Sequence, residues 1–113
     1  MKKLPIPIYR GNLFIHIGRP SDLLQKKYNL EIAPDHIAAV HELDEDILVW
    51  FEQKEFNAPI VAHESIHIKN IVFEQIGAKH DFQNDEHEAY FVEFLVEEIE
   101  KVYKKYNQSK NNS

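Results

Sequence analysis

The sequence predicts a small α+β fold, in which an antiparallel sheet packs on two helices from the second half of the chain. Three observations predict this class. The first half holds four short β-rich runs separated by turn residues, and the second half holds two long segments with helical signals. In addition, 43% of the 113 residues are hydrophobic, which is enough for a modest core. The predicted order of elements is β-β-α-β-β-α-α.

A hairpin is predicted close to Met1. Residues 6–9 and 13–17 are rich in β-forming side chains, and the Arg-Gly-Asn sequence around Gly11 is a turn signal between them. Pro5 and Pro7 cannot donate a backbone hydrogen bond, so the first strand is expected at an edge of the sheet.

A short helix and a second strand pair follow. Ser21 can act as the N-cap of the helix, and Asn29 is a plausible end point. The next two strands are predicted at residues 37–43 and 47–53, joined by an acidic turn at 44–46. The last of these strands contains the unbroken apolar run Ile-Leu-Val-Trp-Phe, so we expect it to be covered on both faces.

Two long helices are predicted in the second half. The first spans about residues 59–76, with proline in its first turn and Gly77 just past its end. The second spans about residues 85–106 and leaves 107–113 as a disordered tail. Because the sequence shows no repeat and no long linker, residues 1–106 are expected to form a single domain.

The composition narrows the classes of protein. A net charge of -6 provides no basic surface for phosphates, so no nucleic-acid partner is expected. The chain has no cysteine, so any metal must be bound by histidine and carboxylate side chains. Two prolines interrupt the first apolar run, and no run approaches the roughly 20 residues of a membrane helix. We therefore expect a soluble, cytoplasmic protein with no membrane partner.

Residues 63–67 read His-Glu-Ser-Ile-His, which is the His-Glu-x-x-His pattern, and they fall inside a predicted helix. Residues four apart on a helix project from one face, so His63 and His67 can bind the same ion. Glu64 lies about 100° around the helix from His63, beside the metal. From there its carboxylate can take a proton from a zinc-bound water, whose pKa the metal lowers toward neutrality.

The motif alone is a weak signal, because this composition would produce it in about one of twenty shuffled sequences. A third ligand strengthens the hypothesis, since catalytic zinc normally has three protein ligands and one open position. Glu86 lies 19 residues after His67, in the first turn of the last predicted helix. Asp85 and Glu88 are the alternatives to Glu86. The sequence therefore predicts one zinc ion bound by His63, His67 and Glu86.

This arrangement resembles the gluzincins, the thermolysin-type zincins, in which His-Glu-x-x-His is followed about twenty residues later by a Glu on a second helix. In many gluzincins that Glu begins a Glu-x-x-Ala-Asp or Glu-x-x-Ser-Asp sequence. Residues 86–90 read Glu-His-Glu-Ala-Tyr, so Glu86 and Ala89 match. Tyr90 replaces the Asp that orients a zinc-bound imidazole. The stretch from 61 to about 98 also resembles small predicted peptidases encoded by tailed phages.

The resemblance implies a minimal zinc metallopeptidase, a single zincin-like domain whose first long helix is the active-site helix. It implies that zinc polarises a peptide carbonyl while Glu64 takes the water's proton and passes it to the leaving amine. The substrate would be a peptide or a protein, and a partner protein or an oligomer would supply specificity that so short a chain lacks. The phage resemblance implies that the protein works inside a host cell.

The same residues also fit roles without catalysis. His63 and His67 can be polar members of an amphipathic helix, and acids such as Glu86 are favoured in the first turn of any helix. Three isolated histidines in β-rich segments are not expected to be ligands: His16, His36 and His41. Three other side chains are candidates to stabilise an oxyanion: His80, His87 and Tyr90. Two further classes are a non-catalytic zinc-binding structural or adaptor protein, and an α+β interaction domain without metal.

Overall fold

The computed structural model describes residues 1–7, 9–76 and 85–111, without the side chains at positions 85, 86, 110 and 111. In chain order the elements are β1 (Lys2–Pro5), β2 (Asn12–Ile17), α1 (Asp22–Tyr28), β3 (Ala38–Leu43), β4 (Asp46–Phe51), a 3₁₀ turn (Gln53–Glu55), α2 (Ala58–Gln75) and α3 (Asp85–Asn111). The chain divides into two compact units, residues 1–57 and residues 58–113. The α+β class and the order of strands and helices agree with the prediction.

The four strands form one mixed sheet in the order β1-β2-β4-β3. The outer pairs are antiparallel, but β2 and β4 are parallel, with Leu13 opposite Ile47 and Ile17 opposite Phe51. The prediction of a purely antiparallel sheet is therefore wrong. Each hairpin has a local turn signal, whereas the parallel pairing joins strands connected by residues 18–45 and has no local signature.

The first strand lies four residues earlier than predicted. Ile6 and Tyr9 lie instead in the turn between β1 and β2, where the amide of Ile6 donates to the carbonyl of Gly11 at 3.3 Å. Pro7 cannot donate to a strand ladder, which explains why the strand ends before it. β1 lies at an edge of the sheet, as the prolines predict.

The predicted caps of α1 are both present. The Oγ of Ser21 accepts a hydrogen bond from the amide of Leu24 at 3.2 Å, and Asn29 adopts the left-handed conformation with φ 54°. A left-handed residue after the last turn is a common way to end a helix, and Asn tolerates it better than most residues. The local sequence therefore determines both ends of α1.

Strand β4 supplies the centre of the sheet's core. Its five residues from Ile47 to Phe51 are almost completely buried, so both faces of the strand are covered, as the apolar run predicts. On one face the indole of Trp50 donates to Nε2 of His41 at 3.0 Å. The guanidinium of Arg19 lies 5.6 Å from the centre of the Trp50 ring, in the range of a cation–π contact.

Helices α2 and α3 pack against each other through aromatic and charged side chains. The rings of Phe73 and Phe91 are 5.7 Å apart, and Lys69 pairs with Glu88. α3 continues to Asn111, past the predicted end near residue 106. The sequence after Asp85 contains neither Gly nor Pro, so nothing local stops the helix.

Two further observations concern the helices. Gly77, the predicted helix stop, lies outside the described residues. Among the described residues, none of the helices combines the length and the apolar character needed to cross a bilayer.

Candidate metal centre

Helix α2 has one buried face and one exposed face. Val61, Ile68 and Val72 are completely buried and define the inner face. His63 and His67 are exposed and lie on the opposite face, because the helical repeat of 3.6 residues separates the two sets. The predicted histidine ligands are therefore accessible from solvent.

The two imidazoles converge. Nε2 of His63 and Nε2 of His67 are 3.1 Å apart, and the ring centres are 4.7 Å apart with the planes at 77°. Two nitrogens bound to one tetrahedral zinc at 2.0–2.1 Å lie about 3.3 Å apart. The spacing of the described nitrogens thus fits a shared divalent ion with only a small rotation of the rings.

Glu64 does not share the exposure of the two histidines. Its residue exposure is 7%, and its position about 100° around the helix from His63 directs it toward the inner face. The sequence predicts that Glu64 lies beside a metal ion, and the helix geometry permits that position only at the border between the two faces. A general base must come within about 3 Å of the proton that it accepts. The carboxylate of Glu64 would therefore have to reach a water bound at the histidine pair from the side of the helix next to that pair.

The described residues bring together His63 and His67. The backbone of Glu86 lies in the first turn of α3, but its side chain and that of Asp85 are outside the described part of the chain. Within residues 1–7, 9–76 and 85–111, no three described side chains of the metal-binding types are grouped closely enough to hold an ion. The prediction that Glu86 is the third ligand stays a prediction.

The other candidates from the sequence differ in their surroundings. Glu88, an alternative third ligand, lies 3.9 Å from Nζ of Lys69 and is engaged in an ion pair. His87 and Tyr90 are exposed on α3, while His80 is outside the described residues. The structure therefore favours none of the three candidate oxyanion donors.

The buried polar residues of α2 were not predicted from the sequence. Ser65 is completely buried and Lys69 is 8% exposed. A signal was available, because Val61, Ser65, Lys69 and Phe73 follow one another at intervals of four and so form one stripe of a helix. Lysine is rarely buried without a partner, and Glu88 is that partner.

Comparison of the chain with protein-family models, with curated proteins and with solved structures finds no match.

Proposed function

We propose that this chain is a zinc-dependent peptidase in which His63, His67 and Glu86 bind the metal and Glu64 is the general base. The observation that carries the proposal is the 3.1 Å separation of the two exposed Nε2 atoms. Solvent-facing imidazoles at this spacing on a rigid helix suit zinc, which prefers nitrogen and carboxylate ligands where cysteine is absent. A carboxylate from the neighbouring helix would complete the usual set of three.

The residues of the chain have separate tasks in this mechanism. Bound zinc would lower the pKa of a water toward neutrality and polarise the scissile carbonyl. His63 and His67 must be neutral, because an imidazolium has no lone pair on Nε2 for a metal. Glu64 would accept the proton of the attacking water and then deliver it to the leaving amine.

A second candidate is a non-catalytic zinc-binding protein, and the burial of Glu64 favours it. At 7% exposure the carboxylate has little contact with the solvent in which a substrate arrives. In that case the histidine pair still binds metal, but the chain binds a partner protein instead of hydrolysing a peptide. Both candidates share the metal site and differ in the task of Glu64.

The metal site is tested by zinc analysis of purified protein. We expect about one zinc per chain, and near-complete loss in His63→Ala and in His67→Ala because each variant keeps only two of the three protein ligands that such a site requires. His87→Ala is the matched control, since it removes an exposed histidine from α3. Stoichiometric zinc in both motif variants would place the site elsewhere.

The catalytic task is tested with Glu64→Gln. The amide is nearly isosteric with the carboxylate, so fold and zinc content should persist, while cleavage in a peptide-library digest should fall about 10²–10⁴-fold. A digest with chelator serves as the control for metal dependence. If Glu64→Gln cleaves within a few-fold of wild type, the general-base role is wrong. If wild type with stoichiometric zinc cleaves nothing in the library, the non-catalytic candidate replaces the peptidase.

A further inference from the structure

Lys69 and Glu88 form a buried ion pair that joins α2 to α3. Nζ of Lys69 lies 3.9 Å from Oε1 of Glu88, and the two side chains are 9% and 8% exposed. A charge taken out of water is costly unless an opposite charge lies next to it. The two helices therefore pack favourably only in an arrangement that keeps Lys69 opposite Glu88.

The surrounding contacts do not impose the same restriction. Phe73 and Phe91 pack with ring centres 5.7 Å apart, but apolar burial is largely non-directional. Apolar side chains would fill the positions of Lys69 and Glu88 at lower cost. Polar residues in such an interface are best explained by a role in specifying one register of the helices.

We propose that the Lys69–Glu88 pair fixes the register of α3 on α2 and thereby positions the carboxylate ligand of the zinc site. Lys69 follows His67 by two residues, and Glu88 follows Glu86 by two. A shift of one residue moves a helical position about 1.5 Å along the axis and 100° around it, whereas metal–ligand distances vary by only about 0.2 Å. A register error of one residue would thus remove Glu86 from the ion. This inference rests on the proposed function.

The test compares charge removal with loss of packing. Lys69→Met removes one charge and leaves every candidate ligand in place, Lys69→Met/Glu88→Leu removes both charges, and Lys69→Arg keeps the pair. Phe73→Leu is the matched control, because it weakens the same interface and leaves the ion pair intact. For each protein the Co²⁺ dissociation constant is measured by competition with a chromophoric chelator, and the unfolding equilibrium constant is measured in denaturant without metal.

We expect Lys69→Met and the double variant to raise the Co²⁺ dissociation constant at least about tenfold, the lower end for residues that orient ligands. The Co²⁺ dissociation constants of Lys69→Arg and Phe73→Leu should stay within about threefold of the wild-type value. Apolar replacement of a buried pair usually preserves stability, so the double variant shows whether the effect persists in a folded protein. Lys69→Met is decisive, because it leaves Glu88, the alternative third ligand, in place. Wild-type Co²⁺ affinity in Lys69→Met would overturn the positioning role.

A double-mutant cycle of Lys69→Met and Glu88→Leu separates the remaining outcomes. Coupling of about 2- to 150-fold in the unfolding equilibrium constant is expected for residues in contact. No coupling would overturn the proposal that the pair joins the helices. If the wild-type protein itself binds no Co²⁺ or Zn²⁺, the proposed function fails, and that result appears before any variant is made.

Discussion

At the scale of single residues, the contacts of an imidazole decide whether it is available to a metal. Nε2 of His41 accepts a hydrogen bond from the indole of Trp50, so it is occupied and the ring must carry its proton on Nδ1. Nε2 of His63 and Nε2 of His67 instead lie within hydrogen-bond distance of each other at an exposed surface, so a metal ion between them would take the place of the proton that they share. The expectation that His41 is not a ligand stays a prediction.

The half-buried histidines predict a loss of stability in mild acid. The pKa of His41 is lowered by burial and then by the nearby charge of His36, and the pKa of His16 is lowered by burial and then by the N-terminal charge. Below about pH 6.5, the unfolded chain therefore binds protons more readily than the folded chain. The contribution of these two histidines to the free energy of unfolding is complete above about pH 6.5, and it is lost as the pH falls through their lowered pKa values in the folded state.

Urea unfolding midpoints between pH 7.5 and pH 5 measure this loss. The midpoint should fall with pH, and it should fall less in His41→Gln, which cannot titrate. His87→Gln, a change at an exposed position on α3, should keep the wild-type dependence of the urea midpoint on pH. A slope in His41→Gln equal to that of wild type would show that His41 does not contribute.

At the scale of elements, local signals determined what could be predicted. α1 carries its cap residues in its own sequence, and the acidic turn marks the β3–β4 hairpin, so both were found. The position of β1 was missed because the β-rich run after Pro5 includes Pro7, and its described residues Ile6 and Tyr9 lie outside the strands. The parallel pairing of β2 with β4 was missed because it depends on contacts between distant segments.

The candidate site shows the same division between local and distant information. The helical repeat alone brings His63 and His67 together, so their convergence was predictable. The burial of Glu64 depends on what covers the inner face of α2, which the repeat does not reveal. The pairing of Lys69 with Glu88 likewise requires the arrangement of α3 on α2.

The turn before β2 leads to a prediction about Gly11. A Cβ on Gly11 would collide with the backbone carbonyl of Glu45 in the β3–β4 turn. The two turns are also joined next to this point, because the backbone N–H of Asn12 donates a 2.8 Å hydrogen bond to the Asp46 carboxylate. Alanine at this position must push the β1–β2 turn and the β3–β4 turn apart, so Gly11→Ala should lower the free energy of unfolding by about 1–3 kcal/mol or more. Chemical denaturation measures the change.

Gly18→Ala is the matched comparison. Gly18 has φ 107°, and a Cβ added there would meet only open space, so its substitution costs backbone strain of about 1–2 kcal/mol without a collision. We expect Gly11→Ala to be the less stable variant. A Gly11→Ala protein as stable as wild type would show that the two turns are not in tight contact.

At the scale of the whole molecule, the two compact units can unfold together or separately. The sheet lies in residues 1–57 and the candidate metal centre in residues 58–113. The sequence predicts a single domain over residues 1–106. If that prediction holds, a ligand that stabilises the helices must stabilise the sheet by the same amount.

Hydrogen exchange with and without zinc tests this cooperativity. If zinc binds the folded chain in preference to the unfolded one, as proposed above, it should raise the free energy of unfolding by about 2.7 kcal/mol at a hundredfold excess over its dissociation constant. In a single domain, the slowest amides of β4 and of α2 should gain equal protection. Protection confined to α2 and α3 would show two independently unfolding units, and the His63→Ala protein provides the control without metal binding.

The parallel pairing of β2 with β4 also has a consequence during synthesis on the ribosome. β1 and β2 are both complete by residue 17, but the strand that pairs with the other edge of β2 ends only at Phe51. At a synthesis rate of about 5–20 residues per second, this edge of β2 stays unpaired for about 2–7 s until β4 is complete. An unpaired edge is a template for strands of other chains. A nascent chain is therefore most prone to misassociation in this interval, although β2 lies in the interior of the finished sheet.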